Sequence, residues 1–146
     1  MQKRIQIGEV EPLAYKAMAG VQSYLSQTGL SKTLQELIKI RASQINGCAF
    51  CIDMHTKDAL KYGETPQRLF LVGAWRETEN IFTAEETAVL ALTEEVTLIH
   101  EKGLTDATYQ GVRQFFNENQ LAQIIMAVVT INMWNRIAIA SHMPIV

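Results

Sequence analysis

The chain has 146 residues, of which 48% are hydrophobic, and a formal net charge of −2. This length and apolar share suit one globular domain, residues 1–146, with a sizeable core. The charge is nearly balanced and no basic patch stands out, so we expect no nucleic-acid partner. The N-terminal stretch MQKRIQIGEVEP has no apolar segment of the kind that a secretory signal requires.

Residues that are typical of helix starts and helix ends occur along the whole chain. Ser31 is a predicted N-cap, Thr65 precedes a proline in the first helical turn, and Thr83 with Glu86 forms a capping box. Glycines follow several of the predicted helix ends. The predicted helices cover residues 12–27, 32–45, 48–62, 65–71, 83–102, 105–116 and 118–140.

No segment alternates apolar and polar residues over the length of a strand, so the predicted fold is all-α with about seven helices. The last helix is the most apolar, but Gln123, Asn132, Asn135 and Arg136 interrupt it. We therefore expect no membrane span and a cytoplasmic protein. A helix that is apolar on most sides suits a core or a subunit interface.

Both cysteines lie in the stretch INGCAFCIDMHTKDAL, residues 45–60, and four interpretations compete for them. Structural zinc needs four ligands, whereas Cys48, Cys51 and His55 supply three, and His100 or His142 could complete the set only through the tertiary fold. A structural disulfide would close too small a loop to stabilise the chain much. Two ordinary buried thiols would leave the close spacing unexplained. A redox pair explains the spacing, because such a pair can form and break a disulfide in place.

Helical phase favours the redox interpretation. Cys48, Cys51 and His55 lie along one stripe of the third predicted helix. The two cysteines are in its first turn, where unpaired N–H groups favour a thiolate. Asp53 and Lys57 lie on another face and can pair with each other. His55 is one turn beyond Cys51 and can serve it as a base.

The tight turn at Asn46 and Gly47 predicts an antiparallel hairpin of the second and third helices. This hairpin indicates a partner for His55. Residues equally far from such a turn face each other, and this places Glu36 about level with His55. A carboxylate there would hold the imidazole and raise its basicity. Glu36, His55 and a thiol would then form a carboxylate–base–nucleophile relay. The alternative for Glu36 is an ordinary exposed helix position.

The spacing of Glu36, Cys48, Cys51 and His55 resembles the core motif of AhpD-like alkylhydroperoxidases, within the carboxymuconolactone decarboxylase family. The surrounding stretch LIKIRASQINGCAFCIDMHTKDALKYGE and the later AWRETENIFTAEETAVLALTEEVT and INMWNRIAIA also resemble that family, so that the likeness covers roughly residues 10–142. One departure is that Ala49 and Phe50 stand between the cysteines, where well-characterised peroxidases of this type carry an additional histidine.

The resemblance implies an all-helical subunit that assembles into a dimer, trimer or hexamer. We expect no bound cofactor or metal, with the metal-binding module as a further alternative. The resemblance also implies that Glu36, Cys48, Cys51 and His55 form the site of a thiol peroxidase acting on an organic hydroperoxide or hydrogen peroxide. An external dithiol, a lipoyl group or a thioredoxin-like protein, would reduce the resulting disulfide. We expect Cys51 to attack and Cys48 to resolve. The alternative function is a non-catalytic, oligomeric redox-sensing or stress protein of the same fold.

Several aromatic and polar residues receive a structural interpretation. Phe50, Phe70 and Trp75 are predicted to be core residues rather than pocket lining. Asn135 and Arg136 in the last helix are predicted to fix packing.

Overall fold

The computed structural model describes residues 2–145. Within them the chain forms nine α-helices and one 3₁₀ helix, and no β-strand. The helices are α1 (Ile7–Val10), α2 (Pro12–Ser26), α3 (Lys32–Asn46), α4 (Ala49–Lys61), α5 (Pro66–Leu71), the 3₁₀ helix (Val72–Glu77), α6 (Ala84–Thr97), α7 (Ile99–Lys102), α8 (Asp106–Arg113) and α9 (Glu118–Ala140). The prediction of an all-α fold is confirmed.

The predicted caps form where the sequence places them. The Ser31 side chain accepts the Leu34 N–H, and Thr65 accepts the Arg68 N–H. Thr83 and Glu86 form a reciprocal capping box at the start of α6. These side chains satisfy backbone donors that the first helical turn leaves unpaired, which explains why the helix starts could be predicted closely.

Some predicted boundaries were wrong. The helix predicted over residues 105–116 ends at Arg113, as α8. The predicted helix 83–102 is broken at Leu98 (φ −96°, ψ 41°), so that α6 ends at Thr97 and α7 follows as a single turn. No glycine or proline marks the break. Thr97 accepts a hydrogen bond from Asn132 of α9, and this tertiary contact lies at the end of α6. The third helix begins at Ala49 rather than Cys48, because Cys48 is extended and caps it.

Helix α3 is the centre of the molecule and packs against α4, α6 and α9. Its apolar side chains Leu37, Ile38 and Ile40 are fully buried. Each contributes about 1.5–3 kcal/mol relative to an exposed position. The same helix also buries Glu36 and Lys39, which is unusual for charged residues unless they are paired.

Helix α9 has 23 residues, and its length and composition alone would allow it to cross a membrane. It packs against α2, α3, α4, α6 and α8. Asn135 is fully buried, donates to Ser43 and accepts from Asn46, while Asn132 also accepts from Asn46. These bonds tie α9 to the end of α3 as in a core helix, and they agree with the packing role predicted for Asn135.

Candidate active site

Helices α3 and α4 form a hairpin around Gly47. Gly47 has φ 70° and ψ 31°, a left-handed conformation that glycine adopts without the penalty that a Cβ imposes. The Cys48 N–H donates to Ser43 O across this turn, at 2.9 Å. The turn thus ends one helix, starts the next and fixes Cys48 at the junction.

Cys48 and Cys51 form a disulfide, with their Cα atoms 5.3 Å apart. Cys48 is the N-cap of α4, and its Sγ accepts the Cys51 N–H at 3.3 Å. Both residues are only 1% exposed. The structure therefore brings the two sulfurs together at the start of a helix, where a thiolate on Cys48 would meet a backbone N–H donor.

Glu36 and His55 meet across the hairpin, at the level where counting from the turn placed them. The Oε2 atom of Glu36 lies 2.8 Å from Nδ1 of His55, and both side chains are buried. With the carboxylate on Nδ1, that nitrogen carries the ring proton and Nε2 is the nitrogen available for proton exchange. The exposed-helix alternative for Glu36 was wrong.

Lys39 is a third member of this cluster that the sequence analysis did not single out. Its Nζ lies 2.7 Å from Oε1 of Glu36, and the residue is 7% exposed. Burial by itself raises the pKa of the Glu36 carboxyl. The hydrogen bond from His55 and the positive charge of Lys39 outweigh burial, and the pKa lies below its ordinary value of 4.5. Glu36 is thus held as a carboxylate.

A cavity of about 390 Å³ opens over these residues. Cys51, His55, Glu36 and Lys39 all lie on its wall, whereas Cys48 is not among the described residues that line it. Of the two cysteines, Cys51 is thus the one that borders the cavity among the described residues. The remaining lining is largely apolar or aromatic and comes from α2, α4, α9 and the C-terminal segment: Tyr15, Gln22, Phe50, Met54, Asp58, Tyr62, Trp134, Ile137, Ala138 and Met143.

The three aromatic residues that were predicted to lie in the core differ in their burial. Trp75 is a core residue, as predicted, and its indole N–H donates to Glu94. Phe50 is half-buried, packs against the core cluster around the cysteines and also lines the cavity, whereas Phe70 is 82% exposed. Two of the cavity aromatics that the sequence did not assign to a pocket, Tyr15 and Trp134, pack edge to face with their ring centroids 5.1 Å apart. They are more than one hundred residues apart in the chain, so only the tertiary fold could reveal the pair.

Metal binding was one alternative for the cysteine cluster. Within residues 2–145 no group of three or more His, Cys, Asp or Glu side chains is placed to hold a metal ion. His142 contacts the backbone oxygen of Gln2 at the surface. The fourth ligand that the zinc interpretation needed is thus not supplied by the described part of the chain.

Comparison with known proteins shows the family to which the chain belongs. Residues 12–95 match the model of the carboxymuconolactone decarboxylase family. The chain belongs to that family. It is 45% identical over 140 residues to the uncharacterized protein YdfG of Bacillus subtilis, covering 96% of this chain and 95% of that protein.

Solved structures of family relatives share the fold. A protein of unknown function from Agrobacterium tumefaciens, named as a candidate AhpD antioxidant defence protein, is 37% identical, with a TM-score of 0.94 over 98% of this chain and 97% of that one. The debrominase Bmp8, in complex with 2,3,4-tribromopyrrole as a cysteine-to-alanine variant, is 15% identical, with a TM-score of 0.83 over 94% of this chain and 73% of that one. The fold of this family member is AhpD-like, as the sequence resemblance implied. At 15% identity the debrominase shows the fold alone.

Proposed function

We propose that the protein is a thiol peroxidase that reduces hydroperoxides with the Cys48–Cys51 pair. The observation that carries this proposal is the order of groups along one wall of the cavity. Cys51 borders the cavity, His55 follows one helical turn later, and Glu36 holds His55 from the neighbouring helix at 2.8 Å. This is the arrangement in which a base activates a thiol and a carboxylate orients the base.

The first chemical step consumes the peroxide. His55 accepts the Cys51 proton, and the thiolate attacks the terminal oxygen of the hydroperoxide. The S–O bond forms as the O–O bond breaks, so that Cys51 becomes a sulfenic acid and sulfur loses the two electrons that the peroxide gains. The proton on His55 passes to the alkoxide that leaves, which gives an alcohol, or water in the case of hydrogen peroxide.

The second step returns Cys51 from the sulfenic acid. The Cys48 thiol displaces hydroxide from the Cys51 sulfur, its proton joins that hydroxide, and the products are a disulfide and water. The Cα atoms of the two cysteines lie 5.3 Å apart at the start of α4. This step therefore needs little rearrangement of the fold. An external dithiol then reduces the disulfide and is itself oxidised to a disulfide.

The lining of the cavity favours organic hydroperoxides over hydrogen peroxide. Phe50, Met54, Trp134, Ile137 and Met143 offer apolar surface that an alkyl chain would bury. Each buried methylene contributes about 0.8 kcal/mol, which corresponds to roughly a threefold to fourfold gain in kcat/KM. A series of alkyl hydroperoxides of increasing length should show this gain until the cavity is filled.

The direct test uses the reduced protein and one equivalent of cumene hydroperoxide. With Cys48→Ser, a sulfenic acid should accumulate on Cys51 and be captured by dimedone, as located by mass spectrometry. With Cys51→Ser, the peroxide should be consumed no faster than in buffer. Sustained turnover should then require dihydrolipoamide or a reduced thioredoxin. Rapid oxidation without turnover by either donor would favour the redox-sensing alternative. Dimedone labelling of Cys48 in Cys51→Ser, with none of Cys51 in Cys48→Ser, would reverse the assigned roles.

We also propose the homo-oligomer that the resemblance implies. Ile99 of α7 and Val129 and Ile139 of α9 are large apolar side chains that each expose between 42% and 55% of their surface. A subunit contact would remove this surface from water. Light scattering coupled to size exclusion would give the mass of the assembly, and a mass of one chain would reject the proposal.

A further inference from the structure

Lys39 stands apart from the other lysines of the chain. It is buried in α3, whereas the remaining six lysines are exposed. A buried ammonium group loses its hydration and persists only where a partner compensates. The compensating partner is Glu36, which is also the residue that holds His55.

The Glu36 carboxylate is divided between two donors. Lys39 donates to Oε1 at 2.7 Å and His55 lies at 2.8 Å from Oε2. With Oε1 occupied, the carboxylate cannot rotate without breaking the ion pair, and Oε2 is the oxygen left for the imidazole. Lys39 therefore acts on the orientation of His55 through Glu36.

Lys39 also supplies positive charge to the cavity. Besides Lys39 and Glu36 of α3, the titratable lining comprises Tyr15 from α2, and Cys51, His55, Asp58 and the helix-ending Tyr62 from α4. The α9 lining residues, Trp134, Ile137 and Ala138, carry no titratable group. With Cys51 ionised, the buried cluster would hold two negative groups, Glu36 and the thiolate, and Lys39 balances one of them.

We propose that Lys39 is a positioning residue of the thiol site, which fixes the Glu36 carboxylate for His55 and stabilises the ionised form of Cys51 by its positive charge. This inference rests on the thiol chemistry of the proposed function. It adds a residue outside the four-residue motif to the groups that set the reactivity of Cys51.

The test is the rate of iodoacetamide labelling of Cys51 in the reduced protein as a function of pH. Lys39→Met removes both contributions, Lys39→Gln keeps a donor without the charge, and Lys39→Arg keeps both. Loss of a neighbouring positive charge disfavours the thiolate. The midpoint of Cys51 labelling should therefore rise by about one pH unit in Lys39→Met and Lys39→Gln, and stay near wild type in Lys39→Arg. Below the wild-type midpoint this is roughly a tenfold slower reaction.

Lys61→Met is the matched control, because Lys61 is an exposed lysine that pairs with Asp58 near the same cavity. Solvent screens its charge, so that the midpoint should not move. An unchanged midpoint in Lys39→Gln would overturn the inference, as would a rise of equal size in Lys61→Met. If Lys39→Met fails to fold, Lys39→Gln still decides. A raised midpoint in a protein that reduces no hydroperoxide would support the role of Lys39 while rejecting the peroxidase proposal.

Discussion

Two buried carboxylates of this protein, Glu36 and Glu94, are held in nearly the same way, but only the first lies on the wall of the cavity that Cys51 also lines. Glu36 is bound by the His55 ring nitrogen and the Lys39 ammonium group. Glu94 is bound by the Trp75 ring nitrogen and by two arginines, Arg41 and Arg76. In both cases burial raises the carboxyl pKa, and the hydrogen bonds and cations outweigh burial and leave the pKa below its ordinary value.

The difference between the two clusters lies in the partner and in its surroundings. An imidazole can accept and release a proton near neutral pH, whereas an indole N–H only donates. His55 borders a cavity that also contains Cys51, while Trp75 is packed in the core. A buried carboxylate that is paired with cations therefore serves the stability of the fold. We expect a chemical role for it only where a titratable ring and a thiol lie next to it.

Replacement of the two rings should separate the clusters most strongly. His55→Gln removes the base and should slow reduction of cumene hydroperoxide by about 10²–10⁴-fold. Trp75→Phe removes one hydrogen bond to Glu94 and should cost about 1 kcal/mol of unfolding free energy with no change in the rate. Stopped-flow kinetics and urea denaturation measure the two quantities. A comparable loss of rate in both variants would contradict the proposal that only the Glu36 cluster acts in the reaction.

Replacement of the two carboxylates should give a smaller contrast of the same kind. Glu36→Gln leaves His55 without its orienting anion and should lower the reactivity of Cys51 about 10–100-fold. Glu94→Gln leaves two arginines without their anion and should cost about 2–3 kcal/mol of stability while the folded protein keeps its thiol reactivity. Iodoacetamide labelling under native conditions reports the first effect and urea denaturation the second. Slower labelling of folded Glu94→Gln would show that this carboxylate also serves the site.

The smallest expected effect concerns a third carboxylate, Glu95, whose role is structural. Burial raises the pKa of its carboxyl slightly, but hydrogen bonds from Thr105, Thr108 and Lys102 lower it to about 2. A carboxyl with a depressed pKa stabilises the fold above about pH 4.5 and loses that contribution as the pH falls toward 2. Across this range the wild type should therefore lose about 1 kcal/mol more unfolding free energy than Glu95→Gln does, an amount that allows for solvent screening.

Thermal unfolding between pH 5 and pH 2.5 measures the effect, with Glu118→Gln at an exposed position as the control. Equal pH dependence of Glu95→Gln and the wild type would exclude the stabilising role. Thiol labelling should be unaffected, because Glu95 does not line the cavity among the described residues. A change in labelling would show that Glu95 also acts on the thiol site.

Local signals explain how much of the site could be predicted from the sequence. The caps at Ser31 and the turn at Gly47 define the ends of α3 and the start of α4, and a helix rises by a fixed distance per residue. Counting from the turn therefore predicts that Glu36 lies opposite His55. The same reasoning places Cys51 one turn from His55.

Contacts between distant helices could not be predicted in this way. Lys39 is three residues after Glu36, and this spacing allows a pair, but its burial depends on how α2 and α9 cover α3. Tyr15 and Trp134 meet only through that same packing. The break at Leu98 lies beside the bond from Asn132 to Thr97 and has no mark in the local sequence. Each of these features arises from tertiary contacts that caps and periodicity do not encode.

The proposed activation of Cys51 is tested most directly by the pH dependence of iodoacetamide labelling in the reduced wild-type protein, with the labelled residue located by mass spectrometry. If Glu36 and His55 activate Cys51, this cysteine is labelled first, with a midpoint well below the value of about 8.5 of a free thiol. Labelling of Cys48 first, or of both cysteines near pH 8.5, would contradict the claim that Glu36 and His55 activate Cys51.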